Sequence, residues 1–275
     1  MSELSVVSET LYVPLFGRIY ASRNYPAILF DEKALDLWDQ LPQRVKEMPG
    51  QNEYTLLASA VRSANIDHYL QLFLDQHPNG TIVNVGCGLE TLYSRNDNGT
   101  ALWFELDLPD VLELRRRYFP EEARDRFLQY SMFDYSWITA VQEMAFGPVM
   151  IIAAGLFYYF KEEQVIDFIR HLSDFKDAQL IFDAVSSSGI KYSRRLVRKM
   201  GKQEAIMFFS VDSAEDLVAK ISSDTFVVEE RKFYSLINKN AKVRFPTRVK
   251  MAVSDAFNMV KLVRLKIESS NSHTG

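Results

Sequence analysis

The sequence predicts an α/β protein in which helices cover a mostly parallel sheet. Three observations predict this fold class. Short apolar segments typical of buried strands recur between Thr81 and Ile267, helix-like segments separate most of them, and the first strand runs into a glycine turn. The 275 residues fit one large domain or two small ones, and because no linker or internal repeat divides the chain, we expect one.

The composition argues against several classes of partner. The chain has 32 Lys+Arg against 36 Asp+Glu, and its isoelectric point near 5.7 lacks the basic footprint of a nucleic-acid-binding protein. The longest uncharged apolar run, Val149–Phe160, is too short to span a bilayer, and no secretory signal begins the sequence, so no membrane partner is expected.

Cysteine and histidine usage bears on metals and compartment. The single cysteine, Cys87, excludes an intramolecular disulfide and a cysteine-based zinc site, and the four histidines have no metal-binding spacing. We therefore expect no metal and a reducing, cytoplasmic location. The sequence does not indicate the oligomeric state.

The first 80 residues are expected to form a helical cap on the substrate side of the site. Short helices are predicted before residue 50, one of them N-capped by Asp31 and ended at Pro42, with a turn at Pro49-Gly50. A longer helix is predicted for Asn52–Gln76, because apolar side chains recur there at helical spacing and helix breakers follow in His77–Gly80.

Strands and helices alternate in the rest of the chain. The predicted strands are Thr81–Gly86, Ala101–Asp107, Phe127–Met132, Val149–Ala154, Ala178–Ala184, Phe226–Glu230 and Val260–Ile267. The predicted helices are Pro109–Tyr118, Lys161–Leu172, Tyr192–Met200, Ser213–Ser222 and one near Met251–Asn258. We expect residues 81–268 to form the core and residues 269–275 a disordered tail.

The turn after the first strand is the feature that predicts a nucleotide-type cofactor. It carries Gly86 and Gly88, and Asp107 ends the second strand 21 residues after Gly86, the spacing at which an acid holds the ribose hydroxyls. Alternation along the strand places Glu105 on the same face as Asp107. A dinucleotide site favours a third glycine where this chain has Thr91, so the turn favours S-adenosylmethionine (SAM) over NAD.

The motifs around this turn resemble those of the leucine carboxyl methyltransferase family, which includes bacterial O-methyltransferases of polyketide biosynthesis of the tetracenomycin methyltransferase type. The resemblance rests on the Gly-x-Gly-Leu-[Asp/Glu]-Thr turn and the Glu-x-Asp-x-Pro strand end, and on three further segments. These segments are Arg62–Asp67, Asp134–Trp137 and Ala154–Phe160. The similarity spans roughly residues 14–189.

The resemblance implies a class I SAM-dependent methyltransferase, with a Rossmann-like, mostly parallel seven-stranded sheet, helices on both faces and an N-terminal helical cap. It implies SAM as the cofactor and S-adenosylhomocysteine (SAH) as its product. The residues implied to bind the cofactor are Arg62, Gly86, Cys87, Gly88, Glu105, Asp107, Ser131, Met132 and Ala154. Those expected to be catalytic are Arg62 and Tyr158, and those expected to bind substrate are Arg18, Arg23, Tyr20 and Tyr159.

The departures from the family pattern bear on the acceptor. Ala154 stands where the protein-leucine methylating members have Glu, and Leu92 replaces a frequent Arg, which favours the small-molecule bacterial branch. We therefore expect a small-molecule O-methyltransferase whose acceptor is a carboxylate or a hydroxyl. His68 is the one histidine expected near the site, and a carboxylate acceptor needs no base. The alternatives are a protein C-terminal carboxyl methyltransferase and a SAM-binding protein without catalysis.

Overall fold

A mostly parallel, seven-stranded sheet forms the centre of the protein. The computed structural model describes residues 3–47, 52–192, 207–238 and 240–269, with side chains from Leu11 onward. The strands are β1 Thr81–Val85, β2 Leu102–Asp107, β3 Asp125–Gln129, β4 Val149–Ala153, β5 Asp177–Val185, β6 Thr225–Lys232 and β7 Val260–Glu268. Their order across the sheet is β3-β2-β1-β4-β5-β7-β6. All seven predicted strands are confirmed, each within a few residues of its predicted ends.

Helices occupy both sides of this sheet. They are α1 Glu3–Asn24, α2 Glu32–Leu37, α3 Gln43–Lys46, α4 Glu53–Gln76, α5 Leu92–Asn96, α6 Pro109–Arg115, α7 Ser136–Gln142, α8 Glu162–His171, α9 187–192, α10 Ala214–Val218 and α11 Phe245–Ala256. Short 3₁₀ segments lie at Trp38–Gln40, Phe157–Tyr159 and Leu172–Asp174. The predicted turn at Pro49-Gly50, most of the predicted helix Tyr192–Met200 and most of the predicted tail lie outside the described residues.

The two faces of the sheet bury alternate residues of each strand. On one face Ile82, Met150 and Ile152 pack against apolar side chains of α4 and α5. On the other, Val83 and Ile151 join a larger cluster with residues of α7, α8 and α10. Helix α4 of the N-terminal helical region therefore covers part of one face of the sheet.

The N-terminal region differs from its prediction. Where several short helices were expected, α1 runs for 22 residues through Pro14 and Gly17 and packs along α4. A Cβ atom at Gly17 would lie 2.6 Å from the Leu56 carbonyl oxygen and 2.7 Å from Ser59 Cβ, so the absence of a side chain permits this close approach. Tertiary packing thus outweighs the two residues that locally disfavour a helix.

The strand directions determine which loops meet at one edge. Strands β1 to β5 are mutually parallel, and β7 pairs antiparallel with both β5 and β6, so β6 points the same way as β5. The segment between β6 and β7, which contains α11, consequently lies at the carboxyl edge together with the glycine turn. The strand order reverses between β1 and β4, and ligands of such sheets bind at this point.

The described residues also bear on membranes and metals. None of the helices in those ranges is long and apolar enough to cross a membrane. No group of three or more His, Cys, Asp or Glu side chains there is arranged to hold a metal ion.

Candidate functional site

The glycine turn after β1 adopts a backbone that suits glycine. Gly86 has φ of 66° and Gly88 has φ of 47°, both in the left-handed region. A Cβ atom at Gly86 would lie 2.8 Å from Leu156 Cδ1 in the segment after β4. The Gly86 and Cys87 amides both donate to the Leu106 carbonyl at the end of β2. The turn is thus fixed to β2, and its bare backbone faces the segment that leaves β4.

Asp107 ends β2 beside this turn. Its Oδ2 accepts a hydrogen bond from the Gly88 amide at 2.9 Å, and its Oδ1 accepts from the Leu108 amide at 2.8 Å. The carboxylate is half-buried, and this burial raises its pKa, while the two amide hydrogen bonds oppose the rise. Each oxygen keeps a second lone pair, so Asp107 can still accept hydrogen bonds from a ligand.

Glu105 lies beneath the turn and not at its surface, in contrast to the expectation that it binds the cofactor. Its side chain has no exposed surface, accepts a hydrogen bond from Asn84 Nδ2 at 2.7 Å and forms an ion pair with Arg115 at 3.1 Å. Arg115 Nη1 also donates to the carbonyls of Gly88 and Glu90, at 3.1 and 2.7 Å. Glu105 therefore orients the arginine that holds the turn from below.

Arg18 is likewise buried and engaged, although it was expected to bind substrate. Its guanidinium donates to Asp31 at 3.0 Å, to Glu90 at 2.9 Å and to the Leu89 carbonyl at 2.6 Å. Arg95 forms ion pairs with the same two carboxylates. This buried charge network joins α1, the N-cap of α2 and α5 to the glycine turn, so Arg18 anchors the turn and has no surface to offer an acceptor.

Arg62 of α4 lies over the carboxyl ends of β4 and β5. Its Nε donates to Asp183 Oδ2 at 2.9 Å, and its Nη2 lies 3.4 Å from the Tyr158 hydroxyl. Asp183 Oδ1 also accepts from the Gly155 amide at 2.6 Å. A Cβ atom at Gly155 would lie 3.0 Å from Arg62 Nη1, so the guanidinium rests on the glycine that follows β4. The predicted pair of Arg62 and Tyr158 is thus brought together.

The two tyrosines after β4 differ in environment. Tyr158 is 7% exposed, and burial raises the pKa of its hydroxyl well above the usual range, so the group is a hydrogen-bond donor at neutral pH. Tyr159 is 44% exposed and forms an edge-on contact with Tyr158. Phe208, 55% exposed, donates its amide to the Tyr158 carbonyl at 2.8 Å. Tyr159 and Phe208 therefore present aromatic side chains to solvent around Tyr158.

Three other predicted cofactor residues lie at strand ends. Ser131 and Met132 follow β3, the neighbour of β2; Ser131 is half-buried, and Met132 is buried with its carbonyl bonded to Trp137 Nε1. Ala154 follows β4 and is half-buried. Cys87, in the turn itself, is buried, and burial raises the pKa of its thiol.

Two predicted substrate residues belong to the N-terminal helices. Tyr20 donates its hydroxyl to Glu53 at 3.2 Å, and Arg23 stacks on the Trp38 ring with 4.7 Å to the ring centroid. None of these contacts brings them to Arg62. His68 lines a separate surface groove and lies on another side of α4 from Arg62.

The profile of the leucine carboxyl methyltransferase family matches residues 20–173, more than half of the chain. The chain belongs to the leucine carboxyl methyltransferase family. The matched range holds the glycine turn, Asp107, Arg62 and Tyr158, whereas Asp183 lies beyond its end.

Two curated relatives match most of this methyltransferase. Tetracenomycin polyketide synthesis O-methyltransferase TcmP of Streptomyces glaucescens is 28% identical over 205 residues, covering 72% of this chain and 74% of the relative. S-adenosyl-L-methionine-dependent methyltransferase dpfgK of Gibberella zeae is 24% identical over 223 residues, covering 73% and 74%.

Solved structures show the same fold. A DUF574 family protein from Streptomyces avermitilis aligns with a TM-score of 0.56 at 12% identity, covering 92% of this chain and 96% of that chain. Magnesium protoporphyrin IX methyltransferase of Synechocystis PCC 6803 with bound SAH aligns with a TM-score of 0.50 at 10% identity, covering 87% and 96%. The protein is a SAM-dependent methyltransferase with a Rossmann-like, class I fold, as predicted.

The residues at the carboxyl edge fit this cofactor. The bare backbone at Gly86 and Gly88 leaves room that side chains would fill, Asp107 keeps free lone pairs, and Arg62 keeps guanidinium hydrogens beyond those that Asp183 and Tyr158 occupy. SAM has a ribose and a carboxylate but no phosphate, and this set of groups matches it.

The roles of two residues at the site, Asp183 and Arg115, are not predicted from the sequence. Asp183 lies near the end of β5 but has no motif around it, and the one signal for it in the sequence is an acid close to the end of a predicted strand. Arg115 lies in a run of three arginines near the end of the predicted helix Pro109–Tyr118, and by itself this position indicates only a favourable interaction with the helix dipole. Their roles depend on contacts between distant segments.

Proposed function

We propose that this methyltransferase transfers a methyl group to an oxygen of a small-molecule acceptor, and that this oxygen belongs to a carboxylate. The observation that carries the proposal is the pairing of Arg62 with Asp183 and Tyr158 at the end of β4. This arrangement supplies two hydrogen-bond donors, the Arg62 guanidinium and the neutral Tyr158 hydroxyl. Asp183, which already accepts two hydrogen bonds, and Tyr158, which is protonated, are both unsuited to remove a proton.

The cofactor is held, in this proposal, by residues at the ends of four strands, β1 to β4, and by Arg62 of α4. Gly86, Cys87 and Gly88 offer backbone, Asp107 binds the ribose, and Arg62 binds the methionine carboxylate because it lies against Gly155 next to the turn. Ser131 and Met132 border the adenine, and Ala154 lines the space beyond β4. When bound, SAM supplies a methyl group on a positively charged sulfur.

The acceptor class follows from the proton chemistry around Arg62. Asp183 already accepts from Arg62 and from the Gly155 amide, and Tyr158 stays protonated. A carboxylate with a pKa of about 4 is ionised at neutral pH and needs no base, whereas a phenol with a pKa of about 10 benefits from one. Tyr158 would then donate to the acceptor, and the exposed rings of Tyr159 and Phe208 would contact its body.

The cofactor assignment is tested by calorimetry with SAM and SAH. We expect Asp107→Ala to weaken binding by roughly 1 to 3 kcal/mol, since hydrogen bonds to a charged group are lost. Asp110→Ala is the matched control, because this exposed acid stands three residues further on at the start of α6. Unchanged affinity in Asp107→Ala would reject the ribose assignment.

The acceptor assignment is tested with paired aromatic compounds that differ in bearing a carboxylate or only a hydroxyl. We expect methyl ester formation, with kcat/KM level from about pH 6 to 9 because the acceptor is fully ionised there. A rate that rises steadily to pH 9, with phenols as the better acceptors, would reject the carboxylate. Turnover of C-terminal peptides alone would indicate a protein acceptor, and SAM binding without turnover would indicate a non-catalytic protein.

A further inference from the structure

Helix α11 exposes an apolar surface made of residues other than those assigned to the cofactor site. Its large apolar side chains at spacing of four are unusually accessible: Phe245 is 75% exposed, Val249 43%, Val253 39% and Phe257 67%. Residues four apart lie on one side of a helix, so these four form a continuous stripe, called here the α11 stripe. Contiguous apolar surface of this kind is typical of interaction sites.

An open groove of about 420 Å³ runs beside the stripe. Its apolar walls come from Ile237, Ala241, Val243 and Met251, and Arg248 and Asp255 of α11 also line it. The opposite side of α11, with Thr247 and Ser254, is buried against the protein. Helix α11 therefore carries the exposed stripe on one side and borders the groove on the neighbouring side. An amphipathic helix of a partner can bind such a groove by inserting its apolar side chains.

Positive charge borders this surface. The segment 240–258 contains Lys242, Arg244, Arg248 and Lys250 but a single acid, Asp255, while the whole chain has a net charge of −4. All four cations are exposed. The one ion pair that the described residues show for them is a long contact of 3.7 Å between Arg244 and Glu53. The border is thus available to complementary negative charge.

We propose that the α11 stripe and its groove form a docking surface for an acidic amphipathic helix of a partner protein. A second copy of this chain fits less well, since a two-fold interface brings the same patch, and therefore the same cations, face to face. An anionic bilayer matches the charge, but a flat membrane surface does not fill a groove. The inference is independent of the acceptor, because none of the residues that it rests on is assigned to the cofactor or the acceptor.

The test uses fluorescently labelled synthetic helices and the whole chain. One 18-residue peptide has Leu anchors bordered by Glu, and a second has the same anchors bordered by Lys. We expect the Glu-bordered peptide to bind saturably and at least tenfold more tightly at low salt, with affinity falling as salt is added. No saturable binding, or equal binding of both peptides, would overturn the proposal.

Variants locate the binding to α11. Phe245→Ser with Phe257→Ser should abolish peptide binding, and Arg248→Glu with Lys250→Glu should reverse the preference between the peptides. Phe146→Ser is the matched control: Phe146 is also 75% exposed but precedes β4, at the opposite edge of the sheet, so this variant should bind normally. Circular dichroism and SAH binding confirm that each variant is folded. Binding that survives the stripe variant contradicts the proposal.

Two further measurements distinguish the acidic helix from the other candidates for this surface, a second copy of the chain and a membrane. Sedimentation that shows a dimer of wild type and a monomer of the stripe variant would assign the surface to a second copy. Co-sedimentation of wild type, but not of the stripe variant, with phosphatidylcholine vesicles containing phosphatidylserine would assign it to a membrane. Either result overturns the proposal, whereas a monomer that ignores vesicles and binds the acidic helix supports it.

Discussion

Glu90 connects the glycine turn to the N-terminal helices through two arginines. Its oxygens lie 2.9 Å from Arg18 and 2.8 Å from Arg95, and the Ser63 hydroxyl donates to it as well. Burial alone would raise the pKa of Glu90, but the two arginines lower it to about 2. The carboxylate is therefore charged in the folded protein at neutral pH.

Glu90→Gln is expected to lower the free energy of unfolding by roughly 3 kcal/mol at pH 7, since the folded pKa of about 2 lies below the ordinary value of 4.5. The contribution of a lowered pKa is complete above the unfolded value and is lost as pH falls towards the folded one. Urea unfolding should therefore show the two proteins converging between about pH 4.5 and 2. The exposed Glu163→Gln serves as control, and a constant difference across this range would contradict the ionic origin.

Single residues also show what a motif predicts and what it leaves open. The motifs predict that Gly86, Asp107 and Arg62 belong to the site, and all three lie at the carboxyl edge of the sheet. The same reasoning predicts that Arg18 binds substrate and that Glu105 binds the cofactor, and the structure buries both side chains in ion pairs. A motif gives the place along the chain, but the direction of a charged side chain depends on partners from distant segments.

Helices α1 and α4 approach each other closely at Gly17. We expect Gly17→Ala to destabilise the protein by roughly 1 to 3 kcal/mol, because the new methyl group meets the Leu56 carbonyl and Ser59 and the helices must separate. Because Arg18 is the next residue, SAH affinity should fall too. Urea unfolding and calorimetry measure the two effects.

Gly99→Ala is the control for this prediction. Gly99 has φ of 82°, but no atom lies within 4 Å of the place that a Cβ would take, so alanine there strains only the local backbone. A modest loss of stability with unchanged SAH affinity is expected. If Gly17→Ala also left SAH affinity unchanged, the packing of α1 would not control the glycine turn.

The strands were more predictable than the helices for a physical reason. Strands such as β1 and β4 are buried on both faces, and their sequences are mostly apolar between turns. Helix α1 contains Pro14 and Gly17, which suggested interruptions, and its continuity depends on α4. Helix α11 begins at Phe245, six residues earlier than expected. Apolar residues usually mark the buried side of a helix, but here apolar residues also lie on the exposed side, so the helical pattern is hard to recognise in the sequence.

For the whole molecule, ligand binding should be visible as thermal stabilisation. A ligand at about one hundred times its Kd adds about 2.7 kcal/mol to the folded state, which for a protein of this size raises Tm by roughly 5 to 10 °C. We expect this shift with SAH and none with NAD, because Thr91 occupies the place of the third glycine. Differential scanning fluorimetry measures it, and stabilisation by NAD alone would contradict the cofactor assignment.

The position of Cys87 allows its reactivity to report on the opening of the glycine turn. It is the single cysteine of the chain, 2% exposed within the glycine turn, and burial keeps its thiol protonated. A thiol reagent can therefore reach it only when the turn opens. The rate of labelling therefore measures how often the glycine turn opens, and it can be measured without substituting any residue. A ligand that holds the turn closed should lower this rate.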